Sequence, residues 1–415
     1  MLRNRNFLLL FAATLISRAG DTFTFLALAV HIDSLHQDPG QAARALGMVM
    51  IAFVLPQVVF GLFAGTMVDR WDRKRVMVAS DLLRALLVPA FLLLQSPSDL
   101  FLAAAVAFAV SSFSIFFYPA RTALLPKMVD EEELITANSW LQVGETIARL
   151  SGPILAGVAI GAFGIRIAFM IDSATFMVSG LLLLGLVGIT TRAPQAESGQ
   201  LRSAIDELWE GIQYAAHSKL LQGVAIGLAL ALLGIGAVDV LFVPFMREAF
   251  GAPPEALGLL MTSQGVGMLV GGLLMGWLGT RVSSRMVAVA GLSLLGLGTA
   301  GIGLAPAYWA AVPLMALVGL ALTPLNAALQ TILQQGVPQE ILGRASSVVD
   351  ISLSVAQLIS MGGAGWVAGG IGLRPTYLLA GGLMVGGAVA MGLLLRRLAV
   401  GSIPAQSQEA AAVGG

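Results

Sequence analysis

Gly61-Leu-Phe-Ala-Gly65-Thr-Met-Val-Asp69-Arg70-Trp-Asp-Arg73-Lys74-Arg75 begins inside an apolar run and ends in a dense cluster of charge. Glycines four residues apart lie on one helix face and let a second helix approach closely. The charges that follow cannot sit in hydrocarbon, so the helix leaves the bilayer near Val68. Arg70, Arg73, Lys74 and Arg75 mark the side it leaves on as cytoplasmic. The arrangement recurs in the second half of the chain, where Gly272-Leu-x-x-Gly276 is followed by Arg281 and Arg285. In each copy an arginine stands five residues beyond the second glycine, which points to a duplicated half.

Composition agrees with a membrane chain. It is 57% hydrophobic and 11% charged, with a mean hydropathy of +0.87. A soluble domain carries roughly a quarter charged residues, so there is too little polar surface here to coat a globule in water. The absence of cysteine excludes disulfides and thiolate metal sites. The N-terminal apolar run extends to about His31 and contains Arg18 and Asp21, so it reads as a retained first span and not a cleaved signal peptide.

A span needs roughly twenty apolar residues. Twelve segments qualify, near 7–32, 43–68, 77–95, 99–120, 136–162, 166–190, 220–246, 255–279, 285–304, 307–330, 343–369 and 373–395. The expected organisation is a six-helix half over 1–190, a linker over 191–218, a second six-helix half over 219–398 and a disordered cytoplasmic tail over 399–415. The linker contains an amphipathic stretch, Leu201 to Tyr214, suited to the membrane surface. With both termini inside, sixteen cations fall on the cytoplasmic side and only Arg44, Arg166, Arg247 and Arg374 on the other. That asymmetry fixes orientation and supports an even span count.

A second repeat precedes spans five and eleven. Val129-Asp-Glu-Glu-Glu-Leu134 aligns with Val337-Pro-Gln-Glu-Ile341, and each is expected to cap the next helix. Asp130 to Glu133 has no histidine or further carboxylate beside it, so no metal site is expected.

Two six-span halves, a basic loop between spans two and three, and a central linker resemble the major facilitator superfamily. Gly65-x-x-x-Asp69-Arg70-x-x-Arg73-Lys74 matches that family's signature for this loop, with Asp72 where glycine is usual. The second copy has Thr280 in place of the aspartate. The resemblance implies that Asp69 and Arg70, with Gly61, Gly65, Arg73 and Lys74 around them, form a cytoplasmic latch between the lobes. Ser151-Gly152-Pro153-Ile-Leu-Ala156-Gly157 is similar to the exporter motif of span five, in which proline and small residues give a bend with close packing. Asn4-Arg5-Asn6-Phe7, Ser17-Arg18-Ala-Gly20-Asp21 and Asp172-Ser-Ala-Thr-Phe176 resemble the macrolide-efflux and enterobactin-exporter branch of drug:proton antiporters. The arginine that many drug antiporters carry in span four is missing here.

Ionisable groups at bilayer depth are functional candidates by default. Span five carries Asn138, Gln142, Glu145 and Arg149 on one stripe, and span eleven carries Ser347, Asp350, Ser354 and Gln357. Thr323, Asn326 and Gln330 add polar lining from span ten, and Arg18 has a depth like that of Glu145. Glu145 is spaced to pair with Arg149, and Arg18 with Asp21; internal pairing and proton coupling both remain open for them. Asp81 and Arg84 are spaced to pair near the cytoplasmic end of span three. Asp350 has no basic neighbour one turn away and is the foremost coupling candidate, followed by Glu145 and Asp21. Asp172 and Asp239 are expected to serve capping or packing near the non-cytoplasmic side.

These readings predict an all-α, twelve-span secondary transporter of the inner membrane, a monomer whose partners are a small amphipathic substrate, protons and the bilayer. No cofactor and no nucleic acid is implied, and no Gly-x-x-x-x-Gly-Lys-[Ser/Thr] loop occurs for ATP. Proton-driven export is the main reading; uptake by symport or lipid movement on the same fold are its rivals. A polytopic enzyme holding magnesium diphosphate would need paired acidic motifs, and only one acidic run is present.

Overall fold

The computed structural model describes residues 4–187, 209–210, 212–278 and 281–399. The amphipathic linker stretch lies mostly outside them, as do Thr280, almost all of the tail and the side chains of Ser347 and Asp350. Among the described residues the architecture is all helical. The long helices are α1 (Arg5–Leu35), α2 (Pro39–Arg70), α3 (Arg73–Leu87), α4 (Leu100–Leu124), α5 (Leu134–Phe163) and α6 (Ile165–Leu184). The second set comprises α7 (Lys219–Phe250), α8 (Pro254–Leu278), α9 (Ser284–Leu304), α10 (Tyr308–Gly336), α11 (Gln339–Ile371) and α12 (Leu373–Ala399). Eleven of the helical segments are long and apolar enough to cross a membrane. The expected span 343–369 falls within α11.

Local chemistry explains the boundaries. Asn4 caps α1, Asp38 caps α2 with Pro39 behind it, and Ser218 and Ser283 cap α7 and α9. Asp72 caps α3 by accepting from Arg75 N at 2.9 Å. The departure from the family's usual glycine therefore has a local use. Pro89 lacks an amide donor, so beyond Leu87 the third span continues as a 3₁₀ segment, Val88–Leu93. Glu131–Glu133 form one 3₁₀ turn leading into α5, with their carboxylates at the helix start as expected. The residues just ahead of α5 and α11, Glu133 and Pro338, make no side-chain cap hydrogen bond; the side chains of Gln339 and Glu340 lie outside the described residues. Single-residue turns at Gly164 (φ 82°) and Gly372 (φ 90°) join α5 to α6 and α11 to α12. Both positions need glycine, and they are equivalent if the chain is duplicated.

The packing repeats when each helix number is advanced by six. Within the first set α1 packs on α5 and α6, α2 on α4, and α3 on α4 and α6. Within the second, α7 packs on α11 and α12, α8 on α10, and α9 on α10 and α12. The sets meet chiefly through α2 against α11 and α5 against α8, a pair of contacts related by the same rule. The close approaches across this seam lie in the first part of α2, the last parts of α5 and α11 and the first part of α8. All of these ends are opposite the Asp69 loop.

Candidate functional site

Where the sets diverge from that seam they enclose a cavity of about 650 Å³. The first set contributes Asp21, Arg84, Arg149, Pro153 and Asp172; the second contributes Met261, Gln264 and Asn326. The rest of the wall mixes hydroxyls (Thr22, Thr24, Ser111 and Ser114) with apolar side chains such as Phe25, Phe53, Met268 and Leu322, so charge is concentrated on the first set's side.

That charge forms one cluster. Arg84 of α3 is only 2% exposed, pairs with Asp81 one turn earlier, and reaches Asp21 Oδ1 of α1 at 3.7 Å. Its guanidinium lies 4.2 Å from the Phe176 ring centroid and 5.5 Å from that of Phe117, so aromatic faces replace water around it. Asp21 also accepts from Arg18 Nη1 at 3.3 Å, the pairing expected from their spacing. Ser179 of α6 donates to Asp81 Oδ2 at 2.5 Å. Asp172 of α6 is 1% exposed; Thr175 donates to its Oδ1 at 3.2 Å, while Oδ2 has no hydrogen-bond partner. Gly20 leaves the space for this carboxylate, since a Cβ there would lie 2.4 Å from Asp172 Oδ1.

Of the three carboxylates, Asp21 and Asp81 pair with two arginines, Arg18 and Arg84, while Asp172 has no ion pair among the described residues. Buried charges of one sign in excess are costly unless compensated; the third carboxylate can be balanced by Arg149, which lines the same cavity, or by a proton. Sequence spacing found the Arg84–Asp81 and Arg18–Asp21 pairs. It missed that both join at the cavity and that Asp172, expected to serve capping or packing, lies beside them, packed against Gly20 of α1.

Glu145 does not turn to Arg149. It accepts from Arg121 Nη1 of α4 at 2.6 Å, tying α4 to α5. Arg149 instead lines the cavity. Asn138 and Gln142 are exposed further along the same helix, with Asn138 Nδ2 donating to Leu134 O. In α10, Asn326 lines the cavity, Thr323 donates to Met268 O at 2.9 Å, and Gln330 is exposed outside it. On α11, Ser354 is half-buried, and Gln357 Nε2 donates to Asp239 Oδ2 of α7 at 3.3 Å. The exporter-type motif sits at two close contacts. A Cβ on Gly152 would lie 2.7 Å from Thr22 Oγ1 of α1, and one on Gly157 would lie 2.9 Å from Pro254 O of α8.

The loop from Asp69 to Lys74 is held within its own set. Asp69, 59% exposed, accepts from Arg73 Nη2 at 3.2 Å. Lys74 Nζ donates to Leu184 O and Leu186 O at 2.8 and 2.7 Å, closing the end of α6 with a cation. Arg70 is exposed, and among the described residues nothing lies within 4 Å of a Cβ placed on Gly65. At Gly61 the nearest group is Gln57 of the same helix. Among the described residues the close helix approach expected at these glycines is therefore not made.

A family model described as Major Facilitator Superfamily matches residues 10–222 and 224–413. Among curated relatives, macrolide efflux protein A of Streptococcus pyogenes is 26% identical over 83% of this chain and 85% of its own. The multidrug efflux pump Tap of Mycobacterium bovis is 25% identical over 91% of each. Among solved structures, the nucleoside transporter NupG superposes with a TM-score of 0.79 at 14% identity, over 94% of this chain and 99% of that one. A bacterial homologue of the iron transporter ferroportin, in an inward-facing state, superposes with a TM-score of 0.73 at 17% identity, over 95% and 99%. These relatives and neighbours are transporters, which sets aside the membrane-enzyme reading. The chain belongs to the Major Facilitator Superfamily, and it is a polytopic membrane transporter.

Proposed function

We propose that this transporter exports amphipathic small molecules from the cytoplasm by proton antiport, through alternating access between its halves, 1–190 and 219–398, as a monomer of the inner membrane with both termini inside. The observation that carries the reading is the cavity between the two helix sets, apolar over most of its wall and charged on one side. Its size and lining suit a compound with a large apolar surface. The efflux names of the relatives favour export over uptake, and the cation asymmetry puts the Asp69 loop on the cytoplasmic side. The separation of the sets at that end then corresponds to an inward-open state.

Proton coupling is assigned first to the cluster around Arg84. A proton on Asp21 or Asp172 would balance its charge, and a site at the pivot of two rocking halves can be exposed to either side in turn. Asp21 and Asp172 both line the cavity, and of the two Asp21 pairs with two arginines and remains one-third exposed. Asp350 remains a second candidate on its position in α11. Glu145, tied to Arg121, is assigned to holding α4 and α5 together.

The test uses inverted vesicles with an imposed pH gradient and a panel of amphipathic dyes and macrolides. Antiport predicts gradient-driven dye accumulation accompanied by proton release. Proton uptake with substrate would instead indicate symport. Asp21→Asn should reduce uphill accumulation at least tenfold while leaving downhill counterflow within about twofold, because the amide mimics the protonated carboxyl. Unchanged accumulation would remove Asp21 from the coupling step and make Asp350→Asn the next variant.

A further inference from the structure

A second, smaller pocket of about 100 Å³ opens beside the central cavity and shares Phe25, Met261 and Gln264 with it. It lies between the sets, on the side of the cavity away from the Asp69 loop, and receives residues from α1, α2, α7, α8, α9 and α10. Phe25, Phe242, Met50, Met261 and Met315 supply aromatic faces and thioethers, which are polarizable surfaces. One charged side chain lines it, Asp239.

The surroundings of Asp239 differ from those of the other carboxylates. Asp21, Asp33, Asp69, Asp81 and Glu145 each have an arginine partner. Asp239 has no basic partner among the described residues; its polar contact is the Gln357 amide, which donates one hydrogen bond to Oδ2. Asp172 also lacks an ion pair, but it is only 1% exposed and has Arg84 and Arg149 lining the same cavity, whereas Asp239 is exposed in a pocket with no arginine or lysine in its lining. Asp239 is eleven residues from the end of α7 at Phe250, or about 16 Å at helical rise. At that depth a carboxylate without a cation is a costly group, and the cost is offset by whatever cation enters.

We infer that Asp239 and its pocket form a subsite for the ammonium group of a lipophilic amine. The pocket is too small for a whole drug-sized molecule, but it accommodates a nitrogen carrying two or three methyl groups. Phe25 and Phe242 would flank the cation, Asp239 would neutralise it, and the apolar body would extend into the 650 Å³ cavity. Gln357 holds the carboxylate toward the pocket. The substrate class is then an organic cation with a compact alkylated ammonium at one end. This rests on the reading that the central cavity receives the transported molecule.

The test is equilibrium binding to the full chain in lipid nanodiscs without any gradient. The probes are a dansyl-hexyltrimethylammonium and its uncharged tert-butyl isostere, in which carbon replaces nitrogen. The wild type should bind the cation at least tenfold more tightly than the isostere. Asp239→Asn should bring that ratio to within twofold of unity, while Asp239→Glu should keep a ratio above threefold. A wild-type ratio near one overturns the inference without any variant, so a variant that fails to fold does not shelter it. A folded Asp239→Asn protein that keeps the tenfold ratio overturns it as well. Proton-driven export fails separately: a preserved charge preference with no gradient-driven transport would sink that reading and leave this subsite standing.

Discussion

The seam between the two helix sets is built differently at its two ends. Away from the Asp69 loop the backbones themselves touch. A Cβ on Gly365 of α11 would lie 2.5 Å from Arg44 N of α2, and one on Gly258 of α8 would lie 2.5 Å from Pro153 O of α5. Beside these contacts Arg247 of α7 holds Asp33 of α1, with Nε 2.9 Å from Oδ2 and Nη1 donating to the backbone carbonyl at 2.8 Å. At the Asp69 end the charges are satisfied inside one set and Gly65 faces open space. The conspicuous motif is therefore at rest in this arrangement, and unremarkable glycines carry the contact. Under alternating access the two ends would exchange these roles.

The largest effect is expected where backbone meets backbone. Gly365→Leu cannot be absorbed by moving a flexible side chain, because the first atoms met belong to the Arg44 main chain. Overpacking of this kind costs about 1–3 kcal/mol, enough to open the seam in a large fraction of molecules. The chain has no cysteine, so one introduced at His36, at the end of α1, reports on that face alone. Labelling there by a membrane-impermeant maleimide should accelerate at least tenfold. Equal labelling in folded Gly365→Leu protein would mean that the backbone contact does not hold this end closed.

A smaller effect is expected from the ion pair. Arg247→Ala leaves the Asp33 carboxylate, 4% exposed, without its cation. A charged hydrogen bond of this kind contributes about 1.5–3 kcal/mol, discounted here because Arg247 is partly in solvent. Labelling at position 36 should rise several-fold, less than for Gly365→Leu. Asp33→Asn and the double variant complete a cycle. If the two single changes add without coupling, the pair is an incidental surface contact and the closed end rests on the glycines.

The same contrast shows what the sequence could and could not disclose. Helix number, the duplicated plan and pairs such as Arg18–Asp21 were legible because hydropathy and helical spacing are properties of one segment. Partners that come from another helix were not. Glu145 has Arg149 one turn away, yet it pairs with Arg121, which spacing within α5 cannot reveal. No arginine stands between Leu100 and Pro119 of the fourth span. Instead α4 carries its buried arginine near its end, as Arg121 held by Glu145, and the cavity's buried arginine comes from span three, as Arg84. Asp172 and Asp239 were assigned to the periphery by their distance from helix ends, whereas rotation about the helix axis decides which way they face. With 49 glycines in the chain, spacing alone could not single out Gly258 and Gly365 as the contact positions.

The smallest effect on the resting molecule is expected at the motif itself, and this gives the sharpest form of the comparison. Asp69 is exposed and pairs only with Arg73 among the described contacts, so Asp69→Asn should change stability by less than about 0.5 kcal/mol. Gly65→Leu should be similarly mild, since its side chain enters open space. Neither should alter labelling at position 36 in the absence of substrate. Turnover is another matter. If the sets close at this end during transport, Gly65 must then admit a helix and Asp69 must find a partner across the seam. Both variants should then lower gradient-driven transport at least tenfold while substrate affinity stays within about twofold. Gly276→Leu, in the copy whose aspartate position is Thr280, should lower transport less than Gly65→Leu does. The decisive measurement is transport against affinity in equally folded protein. A variant that loses affinity in proportion to transport would assign Asp69 to the binding site and end its reading as a latch.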